Sequence, residues 1–237
     1  MKIVSARAEH SEGDVVSIAG ERAQCDRRGV LYFPDYGLLA VSDLHLEKGS
    51  SLARRGTLAP PYDTAATLLR LQAVIADYRP EIVVSLGDSF HDGEGAARMH
   101  AAFRAQLEAL MAGRDWFWVA GNHDPEAPVG LPGETVREIM IGALSFRHEP
   151  SPERVEGEIA GHLHPCARIV RRGRSVRRRC FAGDGGRMIM PAFGAYTGSL
   201  NVLDRAYAGL FRRESLMAYM LGASRVFALP GSMLQPG

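Results

Sequence analysis

The chain has 237 residues, 28 Lys and Arg against 27 Asp and Glu, and a formal net charge of +1. Its 46% hydrophobic and 23% charged content is ordinary for a globular protein with a sizeable core, and excludes a collagen-like, disordered or disulfide-scaffold chain. Without a general excess of positive charge, any affinity for nucleic acid must come from local patches. Residues Met1–Val16 carry Glu9, Glu12 and Asp14 and no apolar stretch, so they do not read as a signal peptide, and no run is long enough for a membrane span. Cys25, Cys166 and Cys180, an odd count without Cys-x-x-Cys spacing, read as reduced thiols of a cytoplasmic protein.

Gly29–Ser42 reads as two strands joined by a Pro34-Asp35-Tyr36-Gly37 turn. From Asp63 to Tyr78, Leu68, Leu71, Ile75 and Tyr78 recur at helical spacing, which predicts a helix with Asp63 as N-cap and Arg79-Pro80 as its end. Glu81–Leu86 is an apolar run of the buried-strand kind. Gly95–Ala112 predicts a second helix, with Met99, Phe103, Leu107 and Leu110 on one face and Gly113 as its stop. Trp116–Val119 is another buried strand, and this alternation is that of a parallel α/β sheet. From about Glu138 the pattern turns to strands, at Ile139–His148, Gly157–Ala160, Ala167–Val170, Ser175–Phe181 and Leu200–Leu203. No repeat and no linker divides the chain, so residues 1–237 are expected to form one domain, an α/β sandwich.

Polar residues cluster where the strands end. Val41 runs into Asp43 and His45, Leu86 into Gly87-Asp88, Val119 into Gly121-Asn122-His123-Asp124, and Ala160 into Gly161-His162-Leu163-His164. Open α/β sheets bind ligands outside the carboxyl ends of their strands, so these tips should converge. The donors are carboxylate, amide and imidazole with no thiolate, a set that suits manganese, iron or zinc better than magnesium or calcium. There are too many for one tetrahedral ion and about enough for two, the arrangement that clamps a displacement at phosphorus. Two divalent cations are therefore expected; ligand types do not separate manganese from iron or zinc, and manganese is taken first, with iron or zinc as alternatives.

These motifs, with the lone His148, resemble the calcineurin-like metallophosphoesterase family over about Val41–Pro165. The resemblance implies two mixed β-sheets flanked by helices. It implies one metal held by Asp43, His45, Asp88 and His164, and a second held by Asp88, Asn122, His148 and His162, with Asp88 bridging. His123 becomes the proton donor to the leaving group, and Asp124 the residue that orients its imidazole. Two cations would lower the pKa of a bridging water, so that hydroxide attacks phosphorus.

Gly87–Gly93 lacks the Asp-Arg pair of the protein phosphatases, and its Gly-Asp-x-Phe-His resembles a nuclease branch in which the loop histidine, here His91, faces the substrate phosphate. Asp43–Gly49, His148-Glu149-Pro150, Gly161–Pro165 and Pro191–Gly198 are similar to the ligase-associated DNA-damage-response endonucleases, the PdeM group. That likeness implies a DNA endonuclease working in repair beside a DNA ligase, a helicase and a nuclease. Seven arginines between Arg168 and Arg179 fall in an expected hairpin, with Arg177 and Arg179 as candidate contacts to the DNA backbone. The plainer reading is a sheet edge kept soluble by charge. Two other functions are weighed: a hydrolase of small phosphodiesters such as cyclic nucleotides, and a non-catalytic scaffold, which ranks lowest because no expected ligand position is lost.

Overall fold

The computed structural model describes residues 15–57, 60 and 62–237, so the reading of Met1–Val16 lies, but for its last two residues, outside them. The first sheet has seven strands side by side in chain order: β1 (Val15–Ile18), β2 (Glu21–Cys25), β3 (Leu31–Phe33), β4 (Leu38–Val41), β5 (Ile82–Leu86), β6 (Asp115–Val119) and β7 (Glu134–Val136). β1 to β4 pair antiparallel, and β4 to β7 parallel. The parallel part is reached by crossovers carrying α1 (Lys48–Arg54), α2 (Asp63–Tyr78), α3 (Gly95–Arg98) and α4 (Ala101–Met111).

Two local expectations need correction. The helix expected over 95–112 is broken between Arg98 and Ala101, where His100 leaves the helical conformation and its Nδ1 accepts from Ala102 N–H. Met99, Leu107 and Leu110 enter the same core, with Phe103 packed against it, so the hydrophobic period runs through the break and conceals it. Asp63 does not cap its own helix. It is the first residue of α2, and its Oδ2 accepts from Gly49 N–H at 2.9 Å, satisfying an orphan donor at the start of α1.

The second sheet has nine strands: β8 (Glu138–Ile141), β9 (Leu144–Arg147), β10 (Glu158–Ala160), β11 (Pro165–Arg171), β12 (Arg174–Gly183), β13 (Arg187–Ile189), β14 (Leu200–Asn201), β15 (Met217–Leu221) and β16 (Val226–Pro230). The order is β14-β11-β12-β13-β10-β9-β8, with β15 on β12 and β16 on β15. The run expected as one strand over 139–148 is the hairpin β8–β9, turned at Gly142, whose φ of 61° suits glycine.

The sheets pack face to face. Ile18, Phe33, Leu38, Ala40, Val84 and Leu86 of the first meet Phe146, Ile159, Phe181 and Met188 of the second. The other face of the first sheet lies under the helices, where Leu39, Val41, Val83 and Trp116 meet Leu68, Leu71, Ile75 and Leu107. β4 is therefore buried on both faces, which is why it reads as an unbroken apolar run. The outer face of the second sheet (Ala167, Cys180, Ala182, Ala218, Met220) is covered by Val202 and Leu234, not by a helix among the described residues. The expected sandwich of two mixed sheets is thus present, with its α-helices, among the described residues, on the first sheet alone. All three cysteines are buried, and no described helix is long and apolar enough to cross a membrane.

Candidate metal centre

The segments that leave these strands are joined by their backbones. Past β4, Asp43 N–H donates to Gly87 O at 3.3 Å, His45 N–H to Asp88 O at 2.8 Å and Leu46 N–H to Ser89 O at 2.9 Å. Gly161 N–H donates to His148 O at 2.9 Å, and Gly194 N–H to Asp43 O at 3.0 Å. The strand ends of both sheets are thereby fixed to one another. The backbone is also strained there. Asp43, His45, Asp88, His162 and His164 have φ of 53°, 42°, 47°, 66° and 47°, five of the nine non-glycine residues with positive φ among those described. Such conformations are uncommon outside glycine and cluster at functional sites.

Close approach explains three of the motif glycines, among them Gly161, whose Cβ would lie 1.9 Å from Ser42 Oγ and 2.8 Å from Asp43 Oδ2. A Cβ on Gly121 would lie 2.2 Å from Asp88 N and 2.4 Å from Asp88 Oδ1, and one on Gly87 would lie 2.5 Å from the His148 ring. Overpacking of this kind costs about 1–3 kcal/mol. Gly121→Ala should therefore lose that much stability in a denaturant melt and, because Asp88 must move, most metal-dependent turnover. A variant with wild-type activity would show that Asp88 need not stay where it is.

Asp43, His45 and His164 bring one donor atom each within 4.8 Å of one another, and so do Asp88, His148 and His162. Asp43 Oδ1 is buried without a hydrogen-bond donor aligned on it, 3.1 Å from His164 Nε2. Its Oδ2 accepts from the Ser42 hydroxyl and from His162 N–H. His148 Nδ1 lies 2.8 Å from Leu86 O, and a carbonyl only accepts, so the proton sits on Nδ1. His148 Nε2 then points a lone pair at Asn122 Oδ1 (3.0 Å), His162 Nδ1 (3.2 Å) and Asp88 Oδ1 (3.5 Å). Asp88 joins the two groups, because its Oδ2 lies 3.8 Å from His45 Nε2. Burial lowers the His45 pKa to about 3 and also depresses that of His162, so both imidazoles are neutral near pH 7, the form that ligates.

An orphaned carboxylate oxygen beside a knot of lone pairs is what a cation resolves. The residues fit two: Asp43, His45, Asp88 and His164 around one, and Asp88, Asn122, His148 and His162 around the other. A ligand that binds only the folded state adds about 2.7 kcal/mol of stability at a hundred times its dissociation constant. Manganese should accordingly raise the unfolding midpoint and a chelator reverse it; no shift at saturating manganese would sink the centre.

The remaining expected residues divide. His123 donates its backbone N–H to Asp88 Oδ1 at 2.9 Å, and its Nδ1 lies 2.9 Å from His91 O. That carbonyl places the ring proton on Nδ1 and leaves Nε2 facing Asp88 Oδ2 at 4.0 Å. Asp124 does not orient this imidazole. It is buried, its Oδ2 accepts from Phe90 N–H at 2.9 Å, and it ties the segment after β6 to that after β5. Burial, reinforced by the charge of Asp88, pushes Asp124 up to about 7. His91 stands at the rim, its ring stacked on His123 at 5.1 Å and its Nδ1 3.4 Å from His45 Nδ1.

Of the two arginines, Arg177 is exposed and donates to Ser199 O at 2.7 Å. Arg179 is half-buried and donates to Ala192 O and Gly194 O at 3.0 and 3.3 Å, and burial lowers its pKa. It is committed to holding the segment that backs Asp43, which corrects its expected place on the DNA side.

Sequence reasoning missed two features. The buried Tyr207 donates its hydroxyl to Leu163 O at 2.8 Å, pinning the backbone between His162 and His164. A cleft beside Asn122 and His148 is lined by Arg137, Arg147 and Glu149. Both come together through the fold, and no local motif marks them.

The profile of the calcineurin-like phosphoesterases matches residues 37–186. The chain belongs to that family. It is accordingly a metal-dependent phosphoester hydrolase, and the match spans every residue of the two donor groups. Among solved structures, the Pseudomonas putida nuclease MPE is 29% identical, with a TM-score of 0.69 over 91% of this chain and 98% of that one. The Escherichia coli phosphoesterase Yfce is 14% identical, with a TM-score of 0.41 over 81% of this chain and 97% of that one. No curated protein matches the chain significantly.

Proposed function

We propose that this calcineurin-like phosphoesterase is a two-metal endonuclease that cuts DNA in the cytoplasm as part of repair. The observation that carries the reading is the pair of donor groups joined at Asp88, in a chain similar over nearly its whole length to a nuclease. The arginine hairpin adds support. β11 and β12 pair in the register Arg168↔Arg177 and Arg171↔Arg174, which sets like charges opposite one another at a cost that a bound polyanion relieves. Arg171, Arg172, Arg174, Arg177 and Arg178 are exposed, and none forms an ion pair among the described residues. The seven residues of β11 extend this charge roughly 20 Å from His164.

When bound, the two cations supply activation of water and neutralisation of charge at phosphorus. The protein's own groups do the rest. Asp43, Asp88, Asn122, His45, His148, His162 and His164 would hold the cations. His91 O fixes the His123 ring, whose Nε2 faces the site and can pass a proton to the departing oxygen. Partnership with a DNA ligase, a helicase and a second nuclease belongs to the same proposal and rests on the likeness of motifs alone.

The test is cleavage in manganese of circular single-stranded DNA, supercoiled DNA, a cyclic nucleotide and bis-p-nitrophenyl phosphate side by side. Nicking of the circles is expected, since a circle offers no end to an exonuclease. Turnover of the small diesters alone would move the function to nucleotide or metabolite hydrolysis. Reversing the charge at Arg171 and Arg174 should flatten the salt dependence of DNA binding by roughly one to two units of slope. An unchanged slope would leave the hairpin as a solvated edge.

A further inference from the structure

We propose that the cleft beside Asn122 and His148 seats a second phosphate of the substrate, the diester next along the strand from the one cleaved, between Arg137 and Arg147. The inference rests on the nuclease reading and deepens it. The cleft holds about 230 Å³ and shares Asn122 and His148 with the candidate metal centre, so a group in it sits beside the scissile position. Both guanidiniums are open to a ligand. Arg137, in the link between β7 and β8, is exposed and makes no hydrogen bond or ion pair among the described residues. Arg147, the last residue of β9, comes no closer than 3.7 Å to Glu158 Oε1.

That carboxylate is already engaged elsewhere. Glu158 Oε1 accepts from Ser151 N–H at 2.8 Å, and its Oε2 lies 2.6 Å from Arg187 Nε. Arg147 is therefore a half-buried fork without a close partner, next in the chain to a ligand histidine. Guanidinium forks match the oxygens of phosphate, and two arginines lining one cleft offer a seat for it. Charge then decides which phosphate. Glu149 lines the same cleft and Glu158 stands 3.7 Å from Arg147, so carboxylates partly balance the two arginines. A diester phosphate carries one negative charge, whereas a terminal phosphate carries nearly two at neutral pH. The second charge of a terminal phosphate would face those carboxylates, which favours a phosphate inside a strand.

The experiment compares kcat/KM in manganese on four substrates: bis-p-nitrophenyl phosphate, TpT, TpTpT, and TpT bearing one terminal phosphate. TpT has one diester and nothing for the seat; TpTpT adds an internal diester and the fourth a terminal phosphate. The wild type should prefer TpTpT over TpT by about tenfold or more, and the terminal phosphate should give less. Arg137→Ala and Arg147→Gln should each reduce that preference several-fold, with bis-p-nitrophenyl phosphate as the common reference. Arg137 is exposed and unpaired, so its replacement keeps the test open even if Arg147→Gln disturbs β9. A preference that survives both replacements overturns the proposal, as does one given by the terminal phosphate alone. Wild type that cleaves every thymidylate without preference overturns the seat and leaves the nuclease reading intact. Wild type that cleaves only the nitrophenyl diester defeats the nuclease reading itself.

Discussion

Asp88→Asn is expected to reduce turnover by about a thousandfold or more and to lower the bound metal below two per chain. The replacement is nearly isosteric, and the residue is only 3% exposed, so the fold has little reason to change. The charge changes, and with it the atom that links the two donor groups. Oδ1 stands 3.5 Å from His148 Nε2, and Oδ2 stands 3.8 Å from His45 Nε2. An amide offers a neutral oxygen on one side and a donor N–H₂ on the other, and the latter repels a cation. Losing one preorganised electrostatic group typically costs a factor of about 10²–10³ in kcat, and loss of the carboxylate that would serve both cations should lie at or beyond the upper end.

The same variant carries a second expectation, opposite in sign. Asp43, Asp88 and Asp124 are all buried, and the Asp88 charge helps to raise Asp124 to about 7. Without metal the buried Asp88 charge opposes that of Asp124, so metal-free Asp88→Asn should melt above metal-free wild type while gaining less from manganese. Metal analysis, turnover and paired melts check this together. Two ions and full activity in the variant would remove Asp88 from the centre.

What the sequence shows of this molecule follows from how local each cause is. β4, β5 and β6 stand out because burial on both faces demands continuous apolar runs. Most donor residues stand out because they sit in short motifs just past a strand, whereas the lone His148 after β9 has no local signature. The β1–β2 hairpin escapes notice although its physics is local. Ala19 and Gly20 make a two-residue turn with φ of 50° and 87°, a conformation usually announced by Asn-Gly or Asp-Gly. α1 begins after Glu47 without a side-chain cap from that residue, and the carboxylate that serves it comes from Asp63. Arg177 and Arg179 point to the same side of β12 by alternation, yet the segment around Ala192–Gly194 folds over Arg179 and claims it. That contact depends on where a loop lies, and no strand pattern contains it. The placing of Asp124 beneath Phe90 N–H, and not beside His123, has the same origin.

His123→Ala is expected to keep both cations and to slow DNA cleavage by about 10²–10⁴-fold, the usual worth of a positioned general acid. The metals should stay because the contact His123 makes with Asp88 Oδ1 uses its backbone N–H, which alanine retains. What is lost is Nε2, 4.0 Å from Asp88 Oδ2 on a ring whose other nitrogen is held by His91 O. Leaving-group chemistry separates a proton donor from a group that only shapes the site. The alkoxide released from DNA needs a proton as it departs, whereas nitrophenolate leaves as a stable anion. The variant should therefore lose far more activity on DNA than on bis-p-nitrophenyl phosphate. His123→Ala also removes the stack on His91, so His123→Asn serves as a bulkier control and should be as slow. Equal losses on the two substrates would mean that the ring acts by position and not by proton transfer. Loss of a metal would make His123 a ligand, consistent with the 4.8 Å grouping of His45, His91 and His123, and the search for the acid would move to His91.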